Sequence, residues 1–496
     1  MKNGFYLSTY VHIGELHHLT SLMARHEQNI SLWCKSSDEI KLIHYWELER
    51  VTGIKKHGTS FYNVGHAVNV INQLLGPYNL TIKDMEQVWG TPELQTCDDY
   101  HSIKEYPNVS YHSIAHLFSA IMLDSDKFYN DNIIGLAIDG SPDRVVDEYA
   151  GEKDFYSGCV VKNGNVDVFP VFSPGPLWMF AKNKCKLLEG TLMALGSAST
   201  SSLLSSTTDT IYLRGSEYSN ASTYRPLANL MDGIWGLTSS DKGVKFNGFD
   251  DKFTIEENRI SMFVKELHKM SLKIMETNVD NIIKKHSINP EDTYLALAGG
   301  YALNCPTNSY LMQKYKFKGF IAPPCVSDCG MSLGIALYAF YKKMKKINFR
   351  FDGAYYGDKD INLYSTTEKT SNSKFIESIQ ELSSVQLVGD IKESPIVWFD
   401  GSAELGPRAL GNRSILADPR FELSKDQLNN IKDRQWWRPV APIILEEDLD
   451  DWFEDAFESP FMLHTFKIRE NKKHLIPAVS HLDDSARVQT LNPDTN

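Results

Sequence analysis

The sequence predicts an α/β protein of more than one domain, on three observations. The chain has 496 residues, more than one ordinary hydrophobic core encloses, so two or three domains are expected. Strand-like and helix-like segments alternate through its first half. Two of the strands run directly into glycine, at Asp139-Gly140 and at Gly299-Gly300.

The elements follow in chain order. Phe5–Val11 (FYLSTYV) and Ile30–Lys35 (ISLWCK) are rich in β-branched and aromatic residues and read as strands. Ile133–Gly140 (IIGLAIDG) reads as a buried strand ending in Asp-Gly. The next segment, FYSGCVVKNGNVDVFPVF, reads as a hairpin around Asn163–Asn165. Ser197–Thr210 is a Ser/Thr-rich loop, flexible or substrate-facing. Apolar residues at helical spacing predict a long amphipathic helix over Glu257–His286. Tyr294–Asn304 (YLALAGGYALN) reads as a strand, a Gly-Gly turn and a helix start. Around Lys345–Ser373 the pattern turns polar and irregular, which suggests a linker before a second domain from Lys374. The two strand-to-glycine turns leave backbone free to approach a ligand at a strand's carboxyl end. With the hairpin after the first, they fit an actin/hexokinase-like fold, in which two similar halves enclose a cleft.

Composition narrows the function. A net charge of −12 argues against sequence-blind nucleic-acid binding, which relies on a basic face. Neither a membrane span nor a signal-peptide core is present in the pattern. Seven scattered cysteines make no disulfide framework and suit a reducing, cytoplasmic setting. Cys325 and Cys329 read as small buried residues in preference to metal ligands.

His112 and His116, in YHSIAHLFSA, are four apart and so share one face of a helix. Surface or satisfied core histidines are the bland account of such a pair. Asp139, at a strand end, and Asp328, just before a small-residue helix start, favour the sharper one. Two imidazoles and two carboxylates suit a divalent ion such as Fe, Mn or Zn with open positions. The stretch AELGPRALGNRSILADPR, Ala403–Arg420, sets arginines among glycines and prolines in an acidic chain, which reads either as a structural turn with salt bridges or as a grip on a planar, anionic ligand.

Together the motifs YHSIAHLFSA, AIDG, GGYALN and LGPRALGNRSILADPR resemble the O-carbamoyltransferases that act on nodulation factors, cephalosporins and tobramycin. The likeness continues through IKDRQWWRPVAPIIL, SPFML and IPAVSHLDDSARVQTL, so it runs from about Val11 to the end of the chain. It implies a metal-dependent carbamoyl-transfer domain over 1–350, with the actin-like fold of the enzyme that makes threonylcarbamoyl-adenosine in transfer RNA. A linker over 351–373 and a smaller α+β domain over 374–496 complete the expectation. The second domain would form carbamoyl adenylate from carbamoyl phosphate and ATP, with Mg accompanying ATP, and the first would transfer the carbamoyl group to a hydroxyl.

By the same resemblance the metal ligands are His112, His116, Asp139 and Asp328, with Fe(II) preferred over Mn or Zn. His12, after the first strand, is the candidate general base. Arg408, Lys432 and Arg434 are the candidates for adenylate formation. Gly140, Gly299, Gly300, Asn304, Arg413, Arg438, His481 and Arg487 are expected to bind nucleotide or substrate. Arg420 is the arginine best explained by a structural salt bridge. The expected partner is a small-molecule hydroxyl acceptor, with no nucleic acid and no membrane.

Two departures from the family pattern stand out. EGTLMALGSAS (Glu189–Ser199) lacks the family's lysine, and the family extends past RVQTL by several tens of residues. The second domain is therefore expected to be shortened. Dimerisation, capture of a separate C-terminal fragment, or weak adenylation would follow. Competing readings are a non-catalytic nucleotide-binding homologue, a transfer-RNA-modifying enzyme and a sugar kinase of the same fold.

Overall fold

A computed structural model of the chain describes residues 1–147, 150–205, 208–359, 378–379 and 381–492. The chain divides into two compact units, Met1–Asp352 and Gly353–Asn496. The expected linker from residue 360 onward and the expected domain start at Lys374 lie outside the described residues. The class is mixed α/β, with both parallel and antiparallel pairing in its sheets.

Unit 1 holds two sheets of like pattern. The first has the order β3-β2-β1-β4, from β1 (Gly4–Tyr10), β2 (Asn29–Ser36), β3 (Glu39–Glu47) and β4 (Met85–Trp89). The second has the order β7-β6-β5-β8-β9, from β5 (Asn132–Ala137), β6 (Ser157–Lys162), β7 (Asn165–Pro170), β8 (Thr293–Ala298) and β9 (Gly319–Ile321). Each begins as a three-stranded antiparallel meander, and in each the meander's first strand pairs in parallel with a later strand.

Local chemistry explains the turns. Asn163 and Gly164 both take positive φ, and Lys162 pairs with Asn165, giving the two-residue hairpin expected between β6 and β7. β5 stops at Ala137, two residues short of the Asp-Gly end read from the sequence, so Asp139 sits in the loop beyond it.

The helices of the first half are α1 (Glu15–Thr20), α2 (Leu48–Thr52), α3 (Val64–Leu75), α4 (Tyr111–Ile121) and α5 (Ser125–Asn130). Those of the second are α6 (Gly175–Cys185), α7 (Glu189–Ala198), α8 (Arg225–Trp235), α9 (Ile255–His286), α10 (Cys305–Tyr315) and α11 (Met331–Lys343). α9 starts two residues earlier than its apolar pattern suggests, because Thr254 and Glu257 form a capping box there.

α11 packs on β1, β2 and β4, while α4 packs on β5, β6 and β8. These two helices also pack on each other, so the sheets flank a two-helix layer. Every residue of α4 is buried, polar ones included. On the outer face of the first sheet, Leu7, Leu32, Ile71 and Leu75 belong to one apolar cluster that seats α3.

Unit 2 contains α12 (Ser384–Glu393), β10 (Ile396–Phe399), β11 (Arg413–Leu416) and α13 (Glu422–Ile431). These are followed by β12 (Ile443–Leu445), β13 (Phe453–Glu454), β14 (Thr465–Ile468), β15 (Ser485–Arg487) and β16 (Gln489–Leu491). β10 pairs with β11, β12 with β16, and β14 lies between β13 and β15. Phe453, Phe466, Ile468 and Val488 are core residues of this unit. Among the described residues no helix is long and apolar enough to cross a membrane.

Candidate functional site

α4 begins where Ser110 accepts a hydrogen bond from the Ser113 N–H, and its spacing stacks His112 and His116 one turn apart. Asp139 follows β5, and Asp328 opens the short turn that leads into α11. Three elements distant in sequence thus bring four side chains together. One ligand atom from each of His112, His116, Asp139 and Asp328 lies within 4.8 Å of all the others. The two Nε2 atoms face each other at 3.2 Å. Asp139 Oδ2 lies 3.3 Å from His112 Nε2, and Asp328 Oδ1 lies 3.3 Å from His116 Nε2.

This donor set fits a divalent ion. Both imidazoles and Asp328 are buried, and Asp139 is nearly so. Two carboxylates held this close in low dielectric repel each other unless a cation lies between them. His112 Nε2 lies 3.3 Å from Asp139 Oδ2 and 3.5 Å from Asp328 Oδ1. Burial pushes the His112 imidazolium down, but Asp328, Asp139 and Asp143 outweigh it and hold its pKa well above the ordinary value. Burial likewise works against ionised Asp328, yet His26 and His112 hold its carboxyl well below the usual range.

The Gly-Gly turn after β8 serves this cluster directly. Gly299 has φ +89°, and a Cβ there would lie 2.3 Å from the Ile138 carbonyl oxygen. Gly300 donates its N–H to Asp139 Oδ1 at 3.0 Å. The space beside both glycines is therefore filled by the end of β5 and the Asp139 carboxylate. Gly140 lies against Met179 and accepts a hydrogen bond from the Tyr156 hydroxyl through its carbonyl. Asn304 caps α10 by accepting from the Thr307 N–H, and its buried Nδ2 has no partner among the described residues.

His12 follows β1, with Nδ1 2.8 Å from Ser60 Oγ and its ring against His17. Burial, then His17 and Arg25, lower its pKa from the ordinary histidine value. Cys325 and Cys329 are buried, and all seven cysteines are free thiols.

Residues with no sequence pattern to announce them complete the surroundings. Asp143 Oδ2 bonds His112 Nδ1 at 2.9 Å, and Arg25 pairs with the other oxygen of that carboxylate. The Tyr10 hydroxyl donates to Asp328 Oδ2 at 3.0 Å. Half-exposed His26 lies 3.6 Å from the same oxygen. Only Asp143, four residues past Asp139 in DGSPD, offered a signal in the sequence.

In unit 2 the loop 404–413 closes around a carboxylate that sequence reasoning passed over. Glu404 is fully buried, and its Oε1 accepts from the N–H groups of Leu410 and Arg413. The ring so formed presents Arg408, whose buried Nε has no hydrogen-bond partner among the described residues. Arg408, Arg434 and Arg438 lie close enough to perturb one another. Burial first, then Arg434 and Arg408, lower Arg438 to about 10, and burial and Arg408 lower Arg434.

The other basic candidates are placed differently. Arg413 donates to the carbonyls of Asp400, Asn412, Asp358 and Gly401 and stacks on Phe399. Lys432 is exposed at the end of α13, and Arg420 pairs with Asp418 as a structural salt bridge. His481 is buried in a turn closed on Ser485, and Arg487 lies on β15 opposite Thr465.

Comparison with known proteins bears on this arrangement. Residues 390–496 match the family described as "Carbamoyltransferase C-terminus". The chain is 36% identical over 217 residues to the 3'-hydroxymethylcephem-O-carbamoyltransferase of Streptomyces clavuligerus, covering 42% of this chain and 38% of that one. Over these stretches the chain is similar to O-carbamoyltransferases. Nodulation protein NolNO of Sinorhizobium fredii is 35% identical over 241 residues, 47% of this chain and 35% of that protein. Nodulation protein NolO of Bradyrhizobium diazoefficiens is 35% identical over 231 residues, 45% and 42% of the respective chains. The matches thus span less than half the length of each of these relatives.

A solved structure, (R)-2-hydroxyglutaryl-CoA dehydratase component A of Acidaminococcus fermentans, covers 68% of this chain and 98% of its own. Its TM-score of 0.33 at 13% identity carries no argument about the fold. The stretch shared with the carbamoyltransferase C-terminal family contains the Glu404-centred loop and all three arginines of the cluster.

Proposed function

We propose that the protein is an ATP-dependent O-carbamoyltransferase acting on a small molecule. The observation that carries this reading is the convergence of His112, His116, Asp139 and Asp328, in a chain related to O-carbamoyltransferases. In the proposed scheme unit 2 makes carbamoyl adenylate and unit 1 transfers its carbamoyl group to a hydroxyl. The repeated sheet pattern of unit 1 supports an actin/hexokinase-like reading of that unit.

For adenylate formation, water hydrolyses carbamoyl phosphate to carbamate and orthophosphate; the carbamate oxygen then bonds to the α-phosphorus of ATP as the bond to pyrophosphate breaks. Arg408 and Arg434 are suited to this because neither has an ion-pair partner among the described residues, and their mutual repulsion is relieved by phosphate oxygens. Arg438 adds a third guanidinium to the same cluster. Lys432 is assigned to the same step by its place beside Arg434 in the sequence.

For transfer, the acceptor oxygen bonds to the carbamoyl carbon while the bond to AMP breaks. His112, His116, Asp139 and Asp328 hold a divalent ion, Fe(II) first with Mn or Zn as alternatives, which when bound supplies Lewis-acid polarisation of the carbonyl. His12 takes the acceptor's proton at Nε2, since Nδ1 is engaged with Ser60. Its lowered pKa keeps it unprotonated at neutral pH, as a base must be.

The deciding experiment mixes the protein with ATP, carbamoyl phosphate and metal and follows pyrophosphate. Release that depends on carbamoyl phosphate and disappears in Arg408→Ala supports the reading. No carbamoyl-phosphate-dependent pyrophosphate from the wild type would overturn it.

A further inference from the structure

Arg25 has a place in the structure that its sequence context, MARHEQ, does not explain. It is 3% exposed, which is rare for arginine unless the charge is paired. Its Nε faces Asp143 Oδ1 at 3.3 Å. Its Nη1 donates to the Val11 carbonyl at 2.8 Å and to the Gly90 carbonyl at 3.3 Å. The guanidinium carbon lies 4.5 Å from the centre of the Tyr10 ring. One side chain thus touches the end of β1, the end of β4 and the loop after β5.

Both groups it holds go on to a member of the metal cluster. Asp143 accepts through Oδ2 from His112 Nδ1, which leaves the Nε2 lone pair directed at the other three donors. Tyr10 donates its hydroxyl to Asp328 Oδ2, which leaves Oδ1 as the oxygen nearest the two imidazoles. Each contact therefore selects which atom of a ligand faces the centre. The third contact, to Val11, fixes the residue that precedes His12.

We infer that Arg25 is a positioning residue for the metal centre, orienting His112 through Asp143 and Asp328 through Tyr10. The inference rests on the metal-centre part of the function proposed above. A buried Arg–Asp pair could serve stability alone, so the test must read the ion and not the fold.

The experiment titrates Co(II) into the purified full chain against a competing chelator and records the visible spectrum of the bound ion. Arg25→Lys keeps the charge but loses the planar fork, Asp143→Asn loses the charge toward Arg25, and Tyr10→Phe removes one hydroxyl. Each is expected to weaken Co(II) binding by about 10- to 100-fold and to shift the spectrum. Arg25→Lys combined with Asp143→Asn should lose less than the product of the two single losses, because the part of Arg25's effect that runs through Asp143 is already gone in Asp143→Asn.

Wild-type affinity and spectrum in Asp143→Asn and Tyr10→Phe would overturn the inference, even if Arg25 variants fail to fold. Wild-type protein that binds no Co(II) would instead overturn the metal centre itself. The two failures are thereby distinguishable.

Discussion

Gly300 and Asp139, 161 residues apart, are joined by a 3.0 Å hydrogen bond from backbone N–H to carboxylate. The bond ties the turn after β8 to the loop after β5, and the parallel pairing of those strands brings both ends to the same place. A Cβ on Gly300 would lie 2.9 Å from Asp139 Oδ1.

Gly300→Ala is therefore expected to displace the Asp139 carboxylate while leaving the backbone largely intact. Metal affinity should fall by roughly tenfold, the low end for a disturbed outer contact. Gly299→Ala differs, since it combines positive φ with a 2.3 Å approach to a carbonyl oxygen. It should destabilise the protein by more than about 2 kcal/mol. Calorimetry and chelator competition on both variants separate the two effects. Equal melting temperatures for them would contradict this account.

Metal content gives a second prediction. Elemental analysis of purified protein should find one ion per chain, and Asp328→Ala should contain almost none while keeping its far-ultraviolet dichroism. Ion at 100 times its dissociation constant should stabilise the wild type by about 2.7 kcal/mol. A wild type whose melting temperature ignores added Fe(II), Mn(II) and Zn(II) would argue against the site.

A third prediction concerns the like-charged arginines of unit 2. Arg434→Gln removes one of three mutually repelling guanidinium groups, so the ligand-free protein should melt at a higher temperature. The same variant should lose most of the stabilisation that ATP gives the wild type. A lower ligand-free melting temperature with an unchanged ATP effect would assign Arg434 to structure.

Acid sensitivity of unit 2 gives a fourth. His464 is buried beside Phe457 and Phe466, and burial lowers its pKa to about 3. Below the unfolded value, near 6.5, the unfolded chain takes a proton that the folded chain refuses. Stability should thus decline as pH falls from about 6.5 toward 3, with the contribution fully present above that window. His464→Phe should flatten this slope. Denaturant melts at pH 7 and pH 5 test it, and equal slopes for both proteins would remove His464 as the cause.

Much of the fold was legible because its signals are local. The Asn-Gly turn, the apolar run of β5 and the helical period of α9 each announce themselves within a dozen residues. The four cluster residues were readable for a related reason, since the histidine spacing and two strand-end or helix-start aspartates are short patterns. Arg25, Tyr10 and Glu404 were not, because a buried polar residue looks like a surface one until its distant partner is known. The loop 404–413 shows the limit well. Its arginines stand out against an acidic chain, whereas the carboxylate that shapes it lies inside.

The meeting of α4 and α11 leaves no room for a side chain at one point. At Gly334 the helices approach so closely that a Cβ would lie 1.8 Å from the Ala115 carbonyl oxygen. Ala115 adjoins His116, and Asp328 opens the turn that becomes α11. The two helices that carry an imidazole and lead on from a carboxylate of the cluster thus meet backbone to backbone at this point. A methyl at residue 334 would therefore act as a spacer that wedges α4 from α11 at a point remote from any donor atom.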